Sequence, residues 1–233
     1  MKAPRKMFRC IVAAAGLCAA SMLAQAQFVG DLVLEPAGCT QTGKCRIKNK
    51  LRFTDSNKLV WETYDSESTD GATIPPIFQP IVGKPFEESF LKAAIIHDHY
   101  CVRHVRTWRA THRVFYEGLI DQGVPQSKAK LMYYAVYLGG PKWVTLIPGT
   151  ACGGNCVKSF TASDGKPVIR YREADYATVT SASELAALEQ ELQANPEGIS
   201  LEDLEKRAQL KRPDDFYYRN GDQVRMKNLA VAE

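Results

Sequence analysis

Every histidine in this chain falls between His97 and His112: His97, His99, His104 and His112. Imidazole is the commonest metal ligand and the usual acid or base near neutral pH. At helical spacing Phe90, Ala94, His97 and Cys101 share one face, with Leu91, Ile95 and Asp98 running beside it. The run Ala93-Ala94-Ile95-Ile96 is too apolar to be exposed all round, so His97 and Asp98 project from the buried side of a helix. A buried carboxylate without a partner is costly, so Asp98 requires a histidine, an arginine or a metal. On the following helix Val114 and Phe115 mark the inward face, and His112 lies just before them. A helical hairpin then turns His112 toward His97. Asp70, in a proline-bounded loop upstream, is a plausible further ligand. The expected chemistry is a divalent metal held by Asp70, His97 and His112, zinc first and calcium as the alternative. Asp98 would orient His97 or act as base, which makes His97 and Asp98 the catalytic pair. The competing reading is a hydrogen-bonded core cluster. His99 and His104 are expected to face solvent.

The elements that must position these groups read as an α+β protein. A small N-terminal antiparallel sheet comes first, then an antiparallel helical core of three helices, then a less ordered helical C-terminal segment. From Phe28 to Tyr64 short apolar runs alternate with turn-forming Gly, Asn and Asp. The loop Thr69–Pro76 follows, where two prolines exclude helix and Gly71 allows a tight bend. Helices are predicted over about Phe86–Val102, Thr107–Asp121 and Pro125–Leu138, the last ended by Gly139-Gly140-Pro141. Short connections make them antiparallel neighbours. Residues 27–149 form the expected core domain and 150–233 an extension. That extension has a strand near Pro167–Arg172, charged helices over Ser183–Ala194 and Ser200–Leu210, and a loose tail from Lys211.

Residues 1–26 carry a different signal. Lys2, Arg5, Lys6 and Arg9 precede an apolar run from Cys10 to Leu23, and Ala24-Gln25-Ala26 offers small residues for cleavage. That run, about 14 residues, is short of the roughly 20 that a bilayer span needs. It reads as a signal peptide cleaved near Ala26/Gln27, giving a periplasmic or secreted protein with no transmembrane span left. The chain has 30 basic and 26 acidic residues, and the four leader charges are all basic. The remainder is therefore formally neutral, with no support for nucleic-acid binding. Cys10 and Cys18 leave with the leader. In an oxidising compartment Cys39–Cys45 and Cys152–Cys156 read as local disulfides, with Cys101 left over.

The stretch Thr69–Trp143 resembles the bacterial and phage domain of unknown function catalogued as family 1353. The shared pattern is the loop Thr69-Asp70-Gly71-Ala72-Thr73-Ile74-Pro75, the His97-Asp98 pair ending an apolar helix, the amphipathic helix Thr107–Phe115, and the aromatic segment Tyr133–Trp143. Thr73 keeps the hydroxyl of the family's loop serine. His112 stands where the family has an aspartate, and Tyr100 lies one position before the family's aromatic. Thr73, Tyr100 and Trp143 are the candidate substrate contacts, Trp143 alternatively a lid on the core. The resemblance implies where the site lies and carries no reaction.

Three functions compete. One is a metal-dependent hydrolase acting on a cell-envelope amide of the peptidoglycan type. Another is a lipid hydrolase, because His97-Asp98-His99-Tyr100-Cys101 is similar to the His-Asp helix of phospholipases of the A2 type, although their Gly-rich calcium loop is missing here. The last is a non-enzymatic secreted binding module. A phosphohydrolase of the HD type is disfavoured, since no histidine precedes His97.

Overall fold

The structure is a computed structural model that describes residues 26–72, 74, 79–147, 168–176 and 180–225. The leader up to residue 25, Thr73, and the Cys152–Cys156 pair lie outside these residues. Six short strands open the fold as two three-stranded antiparallel sheets. In one, β1 (Gln27–Val29), β4 (Arg52–Thr54) and β5 (Val60–Glu62) pair in the order β1-β4-β5; in the other, β2 (Leu34–Glu35), β3 (Cys45–Ile47) and β6 (Ser68–Thr69) pair in the order β2-β3-β6. A single turn, α1 (Cys39–Thr42), joins β2 to β3, and a Cys39–Cys45 disulfide closes it, as expected from the sequence. Strand alternation sends Ile47, Phe53 and Trp61 inward and Arg46, Arg52 and Val60 outward.

After the one-turn α2 (Gln79–Val82), three helices form the centre: α3 (Glu88–Arg103), α4 (Trp108–Asp121) and α5 (Gln126–Gly139). Their bounds fall within two residues of those read from the sequence. Thr107 caps α4 by accepting from the Ala110 N–H. Helix α3 is buried on two sides. Leu91, Ile95, Ile96 and Tyr100 pack against Ile47, Leu51, Phe53 and Trp61 of the sheets. Phe90, Ala93 and Ala94 face a larger core shared with α4 and α5. The run Ala93-Ala94-Ile95-Ile96, apolar on every side, is explained by this sandwich.

Two small residues let α3 and α4 approach. A Cβ placed on Gly118 would stand 3.0 Å from the Cβ of Ala93 and 3.4 Å from the Phe28 ring. Gln122 at the end of α4 clamps the same crossing, accepting from Ala93 N–H at 2.7 Å and donating to the Glu88 carbonyl at 2.9 Å.

The C-terminal part corrects the expectation of a loose tail. Helix α6 (Ala182–Ala194) buries Leu185, Leu188 and Leu192, and α7 (Leu201–Lys211) buries Leu204 and Ala208. Both carry a capping box, at Ser181/Glu184 and Ser200/Asp203. Beyond Lys211 the chain forms the turn α8 (Phe216–Arg219) and then β9 (Gln223–Arg225). In a third sheet, strand β7 (Lys142–Ile147) pairs antiparallel with β8 (Ile169–Arg172) and parallel with β9. A three-residue strand carries no periodicity, and its partner is about eighty positions away, so nothing local signals it. No helix among the described residues is long and apolar enough to cross a membrane.

Lys142 enters β7 fully buried. Its Nζ donates to the Leu138 carbonyl at 3.1 Å and the Gly140 carbonyl at 3.4 Å, and lies over the Trp108 and Tyr218 rings. Burial, and then the nearby Arg172, push its pKa down from 10.5 to about 7. The unfolded chain therefore binds more protons than the folded one between those values. Stability rises with pH across that window and falls as pH drops through about 7, by up to about 1.4 kcal/mol per pH unit. Lys142→Met should flatten this slope in urea unfolding curves taken from pH 6.5 to 10. At the helix crossing, Gly118→Val should cost about 1–3 kcal/mol by overpacking, read as a lower denaturation midpoint.

Candidate metal centre

The close crossing of α3 and α4 brings His97 and His112 face to face. His97 Nε2 lies 2.9 Å from His112 Nδ1, and the rings are 5.1 Å apart. Phe115 packs on His97 and Trp108 edges His112, so apolar rings hold both imidazoles in place. The outer nitrogens settle the tautomers. His97 Nδ1 meets Asp98 Oδ1 at 3.2 Å, and His112 Nε2 meets the Pro141 carbonyl at 3.1 Å. An ionised carboxylate and a backbone carbonyl only accept, so each outer nitrogen carries the hydrogen. Each inner nitrogen is then left with a lone pair, and the two point at each other. Such a contact requires an electron-pair acceptor between them, either a proton or a metal ion.

Cys101 adds a third donor, with Sγ at 3.5 Å from His97 Nε2. Donor atoms of His97, Cys101 and His112 all lie within 4.8 Å of one another. Tetrahedral zinc, with bonds of about 2.05 Å to nitrogen and 2.3 Å to sulfur, sets N···N near 3.3 Å and N···S near 3.5 Å. The sulfur–His97 edge fits this already; the two nitrogens would separate by a few tenths of an ångström, and the long edge would shorten. Burial pushes the His112 pKa well below its ordinary value, with His97 and Lys142 adding to the effect, which favours the lone-pair form that a metal needs. Burial, and then Asp98, push the Cys101 thiol up. Only a cation at the centre would reverse that and make it a thiolate.

Two members of the triad, His97 and Cys101, line a cavity of about 650 Å³ together with Asp98, whereas His112 is fully buried and is not part of that lining. Asp98 keeps 40% of its side chain exposed there. Asp70 lines the same cavity from its exposed loop but is not in the group of clustered donors. That loop is pinned by the Ala72 N–H donating to the Pro85 carbonyl at 2.8 Å, and a Cβ on Gly71 would stand 2.7 Å from that oxygen. Tyr100 points the other way, packing edge-on to Trp61 and accepting from the Glu62 N–H, so it does not line the cavity. Trp143 is buried behind the site, donating to the Arg106 carbonyl and packing on His104.

Two histidines differ from expectation. His99 is buried, its Nδ1 donating to Glu67 at 2.7 Å while its Nε2 accepts from Arg103 at 3.2 Å. It lies on the α3 face that the sheets cover, so burial on two sides overrides the helical-wheel argument. His104 ends α3 with φ +54° and lies half-buried beside Trp143 and Tyr171, lining the cavity. Cys101 was on the right face in the sequence, one turn after His97. The Pro141 carbonyl carried no signal.

Residues 45–136 match the model of a family described as "Protein of unknown function (DUF1353)". The chain carries a domain of that family, and the matched stretch contains Asp70, His97, Asp98, Cys101 and His112. Two curated relatives are the uncharacterized proteins y4iH and y4jT of Sinorhizobium fredii (strain NBRC 101917 / NGR234). The first is 45% identical over 144 residues, covering 61% of this chain and 59% of its own length. The second is 42% identical over 122 residues, covering 51% and 36%. The chain thus spans less than two thirds of the length of either relative. No solved structure matches it.

Gly140 is where the backbone gives His112 room. A Cβ there would stand 2.3 Å from the Val136 carbonyl oxygen and 3.3 Å from His112 Cε1. Gly140→Ala should therefore shift the Pro141 carbonyl and cost about 1–3 kcal/mol in denaturant unfolding. Unchanged stability together with unchanged His112 ring resonances would contradict this.

Proposed function

We propose that this chain is an exported metal-dependent hydrolase that cleaves an amide of the cell envelope, using an ion held by His97, Cys101 and His112. One observation carries the reading: both histidines spend their outer N–H on an acceptor, leaving inner lone pairs that converge beside a thiol. Outer-nitrogen acceptors of this kind orient metal-bound histidines generally. Two nitrogens and a sulfur suit zinc and not calcium, which takes oxygen ligands. That choice weighs against the phospholipase-type reading. The Cys39–Cys45 disulfide and the basic-apolar leader support export.

A bound zinc ion with three protein ligands supplies a water of pKa about 7. The chain's own residues do the rest. Asp98 holds His97 with Oδ1 and is exposed to the cavity, where it takes a proton from the attacking water and returns it to the leaving nitrogen. Water thereby adds across the acyl C–N bond, releasing a carboxylic acid and an amine.

A second reading rests on Cys101, His97 and Asp98 in line, which is the order of nucleophile, base and orienting group. Burial and Asp98 both hold the thiol protonated, opposite to what a nucleophilic cysteine needs. Metal analysis of chelator-free protein separates the two. The hydrolase reading expects about one zinc per chain, a melting temperature lowered by dipicolinate, and a 10–100-fold weaker zinc affinity in Asp98→Asn. Cys101→Ser should lose the ion and stay folded. No stoichiometric transition metal, with stability indifferent to chelators and activity blocked by thiol alkylation, would sink the metal reading and favour the thiol.

A further inference from the structure

The geometry points to a ligand for the cavity with an apolar body and a positively charged head; under the hydrolase reading, on which this rests, the substrate is an amide bearing an amine or quaternary ammonium group. The interior is apolar, formed by side chains such as Val82, Ala94, Phe115, Met132 and Ala135. At about 650 Å³ it is in the range that encloses a compact organic molecule. Charge is confined to one sign. Asp70, Asp98 and Glu173 line the cavity, and no lysine or arginine does so among the described residues. Asp70 and Glu173 are exposed, and neither has an ion-pair partner among the described residues, whereas most carboxylates of α6 and α7 do.

A dication at the triad does not change the sign, because a Cys101 thiolate and three carboxylates outnumber its two charges. His104, also lining the cavity, is pushed toward its uncharged form by burial. Two residues before Glu173 the lining includes Tyr171, a residue 57% exposed whose ring rests against His104 and is otherwise open to the cavity side. An exposed aromatic face next to carboxylates is a receptor for alkylammonium groups, which the ring quadrupole and the anions attract together. The same field repels a phosphate, a sulfate or a free carboxylate. It disfavours an anionic phospholipid, and it disfavours a peptidoglycan stem with free carboxyl groups relative to one presenting its amine.

The test uses the full mature protein and three probes of equal chain length below their micellar concentrations: octyltrimethylammonium, octyl glucoside and octyl sulfate. Calorimetric titration should give the cationic probe about tenfold tighter binding than the sulfate, with the glucoside between. In Asp70→Asn/Glu173→Gln, both changes at exposed positions, the preference should fall below about threefold. Ala135→Phe should weaken all three probes by filling the interior, with Val136→Phe as the alternative if the first melts early. Equal or tighter binding of the sulfate, or a preference unmoved by the double variant, overturns the inference. So does binding unaffected by both filling substitutions. The cationic preference in a protein that holds no metal would uphold this ligand class while removing the hydrolase reading. A metal-loaded protein without the preference would do the reverse.

Discussion

The approach of α3 to α4 at Ala93 and Gly118 is the constraint from which the rest of the site follows. With a larger residue at either place the helices would stand farther apart, and the imidazoles of His97, one turn from Ala93, and His112, nearly two turns from Gly118, would no longer meet. Side chains in a packed interior cannot stretch across a widened gap. The sheets reinforce the crossing from one side through β1, whose Phe28 N–H donates to Asp121 at the end of α4. Gln122 closes it from within. A site built on two rigid helices in this way holds its donor directions better than one built on loops.

The sequence made the helices legible because they are long and strongly periodic, and it made the His97–Asp98–His112 grouping legible because a hairpin of two such helices has few ways to pack. It failed where an argument from one helix face met burial on two. His99 is expected at the solvent, but between Phe90 and Tyr100 almost every residue of α3 is covered. Cys101 lies on the right stripe, yet cysteine counting marks it only as the unpaired thiol. Asp70 is a candidate ligand by its place in a proline-bounded loop, and the loop holds it at the cavity's lining, outside the donor cluster. Strand β9 and the Pro141 carbonyl were out of reach, since neither a three-residue parallel pairing nor a backbone acceptor leaves a trace in residue types.

Charge is distributed in two distinct ways. Around α6 and α7 the charged side chains join elements at the surface. Arg113 of α4 bridges Glu202 and Glu205, Arg207 pairs with Glu191, and Lys211 with Glu184. Exposed pairs of this kind each contribute little, about 0–1 kcal/mol, but they set which helix lies against which. Inside, among the described residues, charge is rare and engaged. Asp215 holds Arg172 and Arg212, and Lys142 takes two carbonyls and two aromatic faces. Glu173 and Asp70, facing the cavity without ion-pair partners among the described residues, stand apart from both patterns.

The parallel pairing of β7 with β9 has a consequence in time. Every side chain of the donor triad lies before residue 113, and the helices carrying them can pack as soon as they leave a ribosome or a translocation pore. Strand β7, which continues directly from the Pro141 carbonyl that steadies His112, acquires one of its two neighbours only from residues 223–225, near the end of the chain. For a chain emerging from its N-terminus, the donors come together early and their backbone support is completed much later. During that interval the thiol of Cys101 meets its surroundings beside an unfinished sheet.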